Sequence, residues 1–305
     1  MPFPFKFFYS PKYEVDLGPH VFPTQKYRLI KELLSQRFGL KEDDFVLPNP
    51  ASKEIVCLVH TQEYFEKLKN NLLSLEELLR LEIPMNEEIF TASLICVEGT
   101  CLASLYALEN GLGIHIGGGF HHAFPDHGEG FCVFNDIAIA VKRLIKERLI
   151  KKAMVIDCDL HQGNGTAFIF QKEKNVFTFS IHQENNYPFY KPPSSLDIGL
   201  EDGAGDKEYL KVLRENIPLI IKEFKPEFIL YQAGADPYEN DQLGGLRLTK
   251  EGLKERDRFI FIQAKENNIP IALTLGGGYA LDLHDTVEIH FNTIGEALKV
   301  MGIKK

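Results

Sequence analysis

Ala153-Met154-Val155-Ile156 runs directly into Asp157-Cys158-Asp159-Leu160-His161-Gln162-Gly163-Asn164-Gly165-Thr166. The apolar quartet reads as a strand buried on both faces, the kind found in a parallel sheet. Strand side chains alternate, so Asp157, Asp159 and His161 point to one side of the chain. Anionic oxygens crowded beside an imidazole at the end of a buried strand are costly unless a cation joins them. The stretch is therefore expected to hold a divalent metal at the carboxyl end of a strand, where open α/β sheets keep their chemistry. A plainer reading makes it a helix start with Asn164 or Thr166 as N-cap.

The surrounding chain repeats the pattern. Strands are expected at Lys6–Tyr9, Ile55–Val59, Gly113–Ile116, Val176–Ile181, Phe228–Gln232 and Ile271–Leu275 as well as Ala153–Asp157. Helical periodicity fills about Thr24–Gln36, Thr91–Glu109, Asn135–Glu147, Lys207–Phe224, Thr249–Asn267 and Leu283–Val300. Alternation of the two predicts a single α/β domain over residues 1–305, an open and mostly parallel sheet with helices on both faces. Gln183–Asp206, stiffened by Pro188, Pro192 and Pro193, is expected to be a long coil rimming a pocket.

Composition narrows the class. Lys plus Arg number 34 against 43 Asp plus Glu, a net charge of -9. Such a balance argues against nucleic acid and suits a cationic partner such as a lysine-rich tail or a polyamine. Cys57, Cys96, Cys101, Cys132 and Cys158 form no Cys-x-x-Cys pair and read as small buried hydrophobes in a reducing cytosol. Cys158 should face away from its two acidic neighbours and so is not expected to act as a nucleophile. No signal-peptide-like h-region is visible and no run is expected to span a membrane, so a cytoplasmic protein is expected.

Three more strand-to-helix junctions carry reactive groups. Gly117-Gly118-Gly119-Phe120-His121-His122 delivers two imidazoles from a glycine turn, groups that titrate near neutrality and so suit proton transfer. Gln232-Ala233-Gly234-Ala235-Asp236-Pro237 puts another carboxylate past an apolar strand. Gly276-Gly277-Gly278-Tyr279 presents a phenol that could donate to a developing oxyanion. Each has a bland alternative: a surface His pair, a turn Asp before Pro, a packing Tyr. Together they supply an Asp-His-Asp metal set, two histidines and one tyrosine, with coordination positions left for water and substrate. Two carboxylates make the site hard enough for Fe2+ or Mn2+ to compete with Zn2+.

The combination resembles the histone deacetylase superfamily of metal-dependent amidohydrolases, most of all its class IV and small bacterial members. The matching text is Gly117-Gly118-Gly119-Phe120-His121-His122, Gly130-Phe131-Cys132-Val133-Phe134-Asn135-Asp136, Asp157 through Thr166, Ala233-Gly234-Ala235-Asp236, Leu243-Gly244-Gly245-Leu246 and Gly276-Gly277-Gly278-Tyr279. These segments follow the family's order from roughly residue 3 to 290. The resemblance implies the arginase/deacetylase fold and hydrolysis of an N-acyl, chiefly N-acetyl, amide on lysine or a small amine.

It also implies roles. Asp159, His161 and Asp236 would bind the catalytic metal, and His121, His122 and Tyr279 would be catalytic. Asp157 would support His121 and, with Ser180 and the backbones of Asp159, His161 and Ile181, hold a structural potassium ion. Asn164 would stand behind His122, leaving it less basic than the Asp of class I members would. Gly130, Phe131 and Gly277 would meet the substrate, with Tyr187, or failing it Phe189, as the opposite tunnel wall. The family's second monovalent site is matched only by Phe170 and Val176 and is not expected. Asp126-His127-Gly128-Glu129 matches nothing with a role, so its His and Glu are expected to be loop residues. The resemblance leaves oligomeric state open.

Two other functions were compatible in outline. A ureohydrolase shares the fold, but its second metal needs a further Asp where Gly163 stands. A silent acyl-lysine reader would lack His121, His122 or Tyr279. A dinucleotide-binding site would need Gly-x-Gly-x-x-Gly opening a helix, and neither glycine run provides it.

Overall fold

In the computed structural model, residues 3–303 are described. Eight strands form one sheet in which every pairing is parallel. In chain order they are β1 (Phe7–Phe8), β2 (Phe45–Val46), β3 (Leu112–His115), β4 (Ala153–Asp157), β5 (Val176–Gln183), β6 (Leu196–Leu200), β7 (Phe228–Gln232) and β8 (Ile271–Thr274). Across the sheet the order is β2-β1-β3-β8-β7-β4-β5-β6. Parallel strands end on the same edge, so β3, β8, β7 and β4, which are adjacent, deliver their following loops to one place.

The solid apolar runs follow from burial on both faces. In β4, Met154 and Ile156 enter one core while Ala153 and Val155 enter the other. In β7, Ile229 and Tyr231 oppose Phe228 and Leu230 in the same way. The first core is covered by α1 (Lys26–Phe38), α8 (Asp206–Phe224), α9 (Lys250–Glu266) and α10 (Leu283–Met301). The second is covered chiefly by α5 (Glu87–Asn110) and α6 (Asp136–Lys146). Cys158 lies in the first core, away from the acidic cluster, and burial raises its thiol to about 12.

Several expectations need correction. Ile55–Val59 is not a strand. Lys53–Val56 is a helical turn, α2, led by Ser52, and of residues 55–59 only Val56 is buried. A short apolar run cannot by itself distinguish the two states. The coil expected over 183–206 contains β6, an edge strand whose half-exposed residues carry little apolar signal. The short β2 and the helices α3 (Gln62–Lys69) and α4 (Leu75–Leu81) were also unforeseen, whereas α7 (Asn164–Phe170) is the helix that the plainer reading of the 157–166 stretch starts. The N-cap of α7 is Gly163, because Asn164, already inside the helix, uses its side chain elsewhere. Finally, α5 is long and apolar enough to cross a membrane, contrary to the expectation that no run is. Its apolar window is 67% buried, as befits a central core helix.

Candidate active site

The glycine loop after β3 is held from below by buried polar groups. Asp136 accepts from the backbone N–H of Gly119 at 3.0 Å and of Phe120 at 2.8 Å. Gln232 Nε2 donates to the Gly119 carbonyl at 2.8 Å. Gly119 has φ +95°, and a Cβ there would lie 2.1 Å from Gln232 Oε1, so only glycine fits. The loop places the rings of His121 and His122 with centroids 4.0 Å apart.

The two imidazoles have different partners. His121 Nδ1 meets Asp157 Oδ2 at 2.7 Å, and His122 Nδ1 meets Asn164 Oδ1 at 2.7 Å. Burial opposes charge on His121, but the Asp157 and Asp159 carboxylates outweigh it and raise its pKa to about 9. Burial likewise opposes charge on His122, where cationic His121 and His161 add to the effect and hold the pKa well below the ordinary value. One histidine therefore favours the cation and its neighbour the neutral ring.

Asp159, His161 and Asp236 come together from the ends of β4 and β7, with one potential ligand atom from each within 4.8 Å of the others. His161 Nδ1 lies 3.2 Å from Asp159 Oδ1 and 3.3 Å from Asp236 Oδ2. Ligands at about 2.0–2.2 Å from a tetrahedral ion stand roughly 3.3–3.6 Å from one another, so this spacing suits one. Asp236 Oδ2 is buried without a hydrogen-bond partner. Such an orphaned carboxylate oxygen is expensive in a protein interior and is accounted for by a cation. The donor set thus fits a divalent ion. Gly277 closes the site from behind: its N–H donates to Asp159 Oδ2 at 2.9 Å, and a Cβ would fall 2.1 Å from Asp236 Oδ2.

Above this cluster a cleft of about 200 Å³ opens between Phe131, Tyr187, Leu243 and Glu82. Tyr187 stands edge-on to His122 with centroids 5.0 Å apart, whereas Phe189 is fully solvent-exposed, so of the two it is Tyr187 that lines the cleft. Phe131 stacks on Phe22 and meets Tyr279 edge-on at 5.9 Å. Phe131 adopts φ +67°, a conformation bulky residues rarely occupy outside functional sites. Gly130 lies against both His122 and Tyr187, since a Cβ there would meet each at about 3 Å. Burial, reinforced by Asp236 and Asp159, keeps the Tyr279 phenol protonated far above its ordinary range. Ser180, opposite Asp157 in the β4–β5 register, turns its hydroxyl to His182 Nδ1 at 2.9 Å.

Sequence reasoning missed the groups that hold these loops. Asp136 and Gln232 are described above. Asp241 accepts from the N–H of Tyr279 and Leu243, and buried Lys26 donates to the Gly276 carbonyl at 2.7 Å beneath the tyrosine. Burial lowers Lys26 to about 8. Glu129, expected to be a loop residue without a role, accepts from Asn164 Nδ2 at 2.6 Å. A carboxylate embedded in an apolar segment, as Asp136 is after Phe131–Phe134, is a signal that could have found that residue; Lys26 in a helix offered none.

Comparison with known proteins agrees with this architecture. The family model "Histone deacetylase domain" matches residues 20–294. The chain is 37% identical to an uncharacterized protein of Picosynechococcus over 92% of this chain and 94% of that one. It is 33% identical to Histone deacetylase 2 of Arabidopsis thaliana, covering 89% of this chain and 73% of the relative. The acetoin utilization protein AcuC of Staphylococcus aureus is 31% identical, with 85% and 72% covered. The solved HDA15 HD domain superposes with a TM-score of 0.78 over 97% of this chain and 90% of that one, at 22% identity, and so shares the fold. The parallel sheet and its covering helices are those of the α/β fold shared with that deacetylase domain. The chain belongs to the histone deacetylase family, whose members are deacetylases of acetylated lysine or small amines.

Proposed function

We propose that this chain is a metal-dependent deacylase that hydrolyses an N-acetyl or other N-acyl amide on a lysine side chain or a small amine. The observation that carries the reading is the buried Asp159–His161–Asp236 cluster with its orphaned oxygen, set directly beside two histidines of opposite charge preference.

Asp159, His161 and Asp236 would hold Zn2+, with Fe2+ or Mn2+ as competitors. When bound, such an ion supplies a polarised carbonyl and a water acidified toward neutrality. Asn164 Oδ1 can only accept, so the His122 proton sits on Nδ1 and the Nε2 lone pair is free to take a proton from the attacking water. The water oxygen bonds the acyl carbon, the C–N bond breaks, and His122 passes the proton to the departing amine. His121, kept cationic by Asp157, adds positive charge beside the developing oxyanion. The protonated Tyr279 phenol donates to that oxyanion. The Gly130 carbonyl would accept the substrate amide N–H, while Phe131 and Tyr187 flank the acyl-lysine stem and Gly277 backs the reacting centre. Potassium at Asp157, Asp159, His161, Ser180 and Ile181 would brace the ends of β4 and β5.

The test is hydrolysis of acetyl-, butyryl- and long-chain acyl-lysine peptides and acetylated polyamines by chain reconstituted with Zn2+, Fe2+ or Mn2+. One ion per chain, lost in Asp159→Ala, and turnover of at least one substrate are expected. Two ions per chain with urea release from guanidino substrates would replace this reading with a ureohydrolase, and no acyl release from any of them would end it.

A further inference from the structure

The segment 126–129, which no part of the mechanism above uses, meets it through Asn164. Asn164 is fully buried, and its amide stands between four groups. Its Oδ1 faces two donors: His122 Nδ1 at 2.7 Å and the N–H of Gly165 at 3.0 Å. Its Nδ2 faces Glu129 Oε1 at 2.6 Å and, more distantly, the Tyr190 carbonyl at 3.5 Å. The other Glu129 oxygen has His127 Nε2 at 3.6 Å, and His127 Nδ1 is bonded to Asp126 at 2.7 Å.

An amide can be turned end for end at almost no intrinsic energy, and its surroundings decide which end faces where. Turned over, Asn164 would set its oxygen against the Glu129 carboxylate and its NH2 against the Gly165 N–H. It would also donate to His122 Nδ1, moving that ring's proton to Nε2 and occupying the lone pair that should act as base. Gly165 N–H favours the productive orientation by one neutral hydrogen bond. Glu129 favours it with a charge-assisted one, roughly twice as strong. The carboxylate persists although half-buried, since the contacts with His127 and Asn164 outweigh the desolvation and lower its pKa.

We infer that Glu129 is a positioning residue that, by orienting the Asn164 amide, fixes His122 in the Nδ1–H tautomer and leaves Nε2 as the base. A carboxylate is thus present behind both histidines: directly behind His121, and one amide removed behind His122. The inference rests on the deacylase reading for its kinetic consequences but not for its tautomer.

The test combines kinetics with a readout that needs no turnover. Glu129→Ala is expected to lower kcat about 10- to 100-fold, the usual range for a supporting hydrogen bond in such a site, with KM within twofold. Glu129→Gln, which still offers an amide oxygen to Asn164, should lose less. Asn164→Asp alone should also lose activity, because it places two carboxylates in contact. Joined to Glu129→Ala, however, Asn164→Asp should restore most of the turnover, because an aspartate accepts from His122 in either orientation. The inference is overturned by full kcat in Glu129→Ala, by a loss confined to KM, or by a double variant no better than Glu129→Ala. Independently, 15N spectra of histidine-labelled, zinc-loaded protein, assigned with His122→Ala, should show the Nδ1–H tautomer in the wild type and a mixture in Glu129→Ala. A wild-type Nε2–H tautomer overturns the inference even where no acyl amide is hydrolysed.

Discussion

His121 and His122 share one loop, one degree of burial and nearly one location, yet the protein supports them from two different regions. Behind His121 is the end of β4, where Asp157 is held in register between β5 and β7. Behind His122 is the first residue of α7, which in turn leans on a surface loop. The strand end supplies a full negative charge in direct contact and so stabilises the imidazolium. The helix start supplies a neutral oxygen, so burial prevails and the ring stays uncharged. The first partner of each Nδ1 sets the direction, and the neighbours add to it: Asp159 favours charge on His121, while cationic His121 and His161 oppose it on His122. Two residues identical in type and adjacent in sequence thus acquire opposite proton affinities from their surroundings.

The comparison is broken most severely by deleting the rings themselves. His122→Ala should lower kcat by about 10²- to 10⁴-fold, the range associated with a positioned general base, with metal content unchanged. His121→Ala should cost less, because a charge-stabilising cation is easier to dispense with than the proton acceptor. Steady-state kinetics beside elemental analysis of both variants checks the order. A larger loss in His121→Ala would mean that the cationic histidine is the principal proton carrier.

A milder change removes the difference and leaves both rings. Asp157→Asn gives each histidine an amide partner. The pKa of His121, about 9 with Asp157 beside it, should then fall because burial goes unopposed by that carboxylate. If activity requires cationic His121, the alkaline limb of kcat against pH should move to lower pH, with a loss of about 10-fold at pH 8. The measurement is the pH profile with one metal in both proteins. An alkaline limb that stays in place would assign it to another group.

The strands that build the site were legible because parallel strands buried on both faces are written as unbroken apolar runs. Ala153–Asp157 and Phe228–Gln232 match their expected bounds for this reason. The edge strand Leu196–Leu200 was not legible, because one end of a sheet is half-solvated and its Asp197 and Gly199 resemble coil. In the site, the residues that point into the cleft stood out as polar groups at strand ends. Those that hold the loops did not. Lys26, Gln232 and Asp241 act through backbone atoms far away in sequence, and nothing local marks a side chain for a partner 250, 113 or 38 residues distant. Glu129 was illegible for a subtler reason. Its neighbours read as an exposed acidic turn, and only the fold brings α7 against that turn.

The smallest expected effect concerns what the two histidines share. His60 is buried, and its Nε2 accepts from the N–H of Asn135 at 2.9 Å. Asn135 in turn donates from Nδ2 to the carbonyls of His121 and Ala123 and to Thr166, so it braces the loop that carries both rings. Burial lowers the His60 pKa to about 4. Relative to an unfolded value of about 6.5, the folded state disfavours the charged ring. The resulting stability is fully present above pH 6.5 and is lost as pH falls toward 4, up to about 3 kcal/mol by linkage. In His60→Gln an amide oxygen can accept the same N–H but does not titrate. The variant should be the less stable protein at pH 7.5, by about 1–2 kcal/mol, because it loses the imidazole's packing against Phe134 and Tyr64. Its stability should then fall more slowly with acid, so that the two curves converge below pH 5. His115, also buried and neutral, titrates in both proteins and drops out of the difference. Urea unfolding at intervals from pH 7.5 to 4.5 reads the two slopes. Parallel curves would show that His60 charges without penalty in the folded protein, and the brace beneath the two histidines would then have to rest on Asn135 alone.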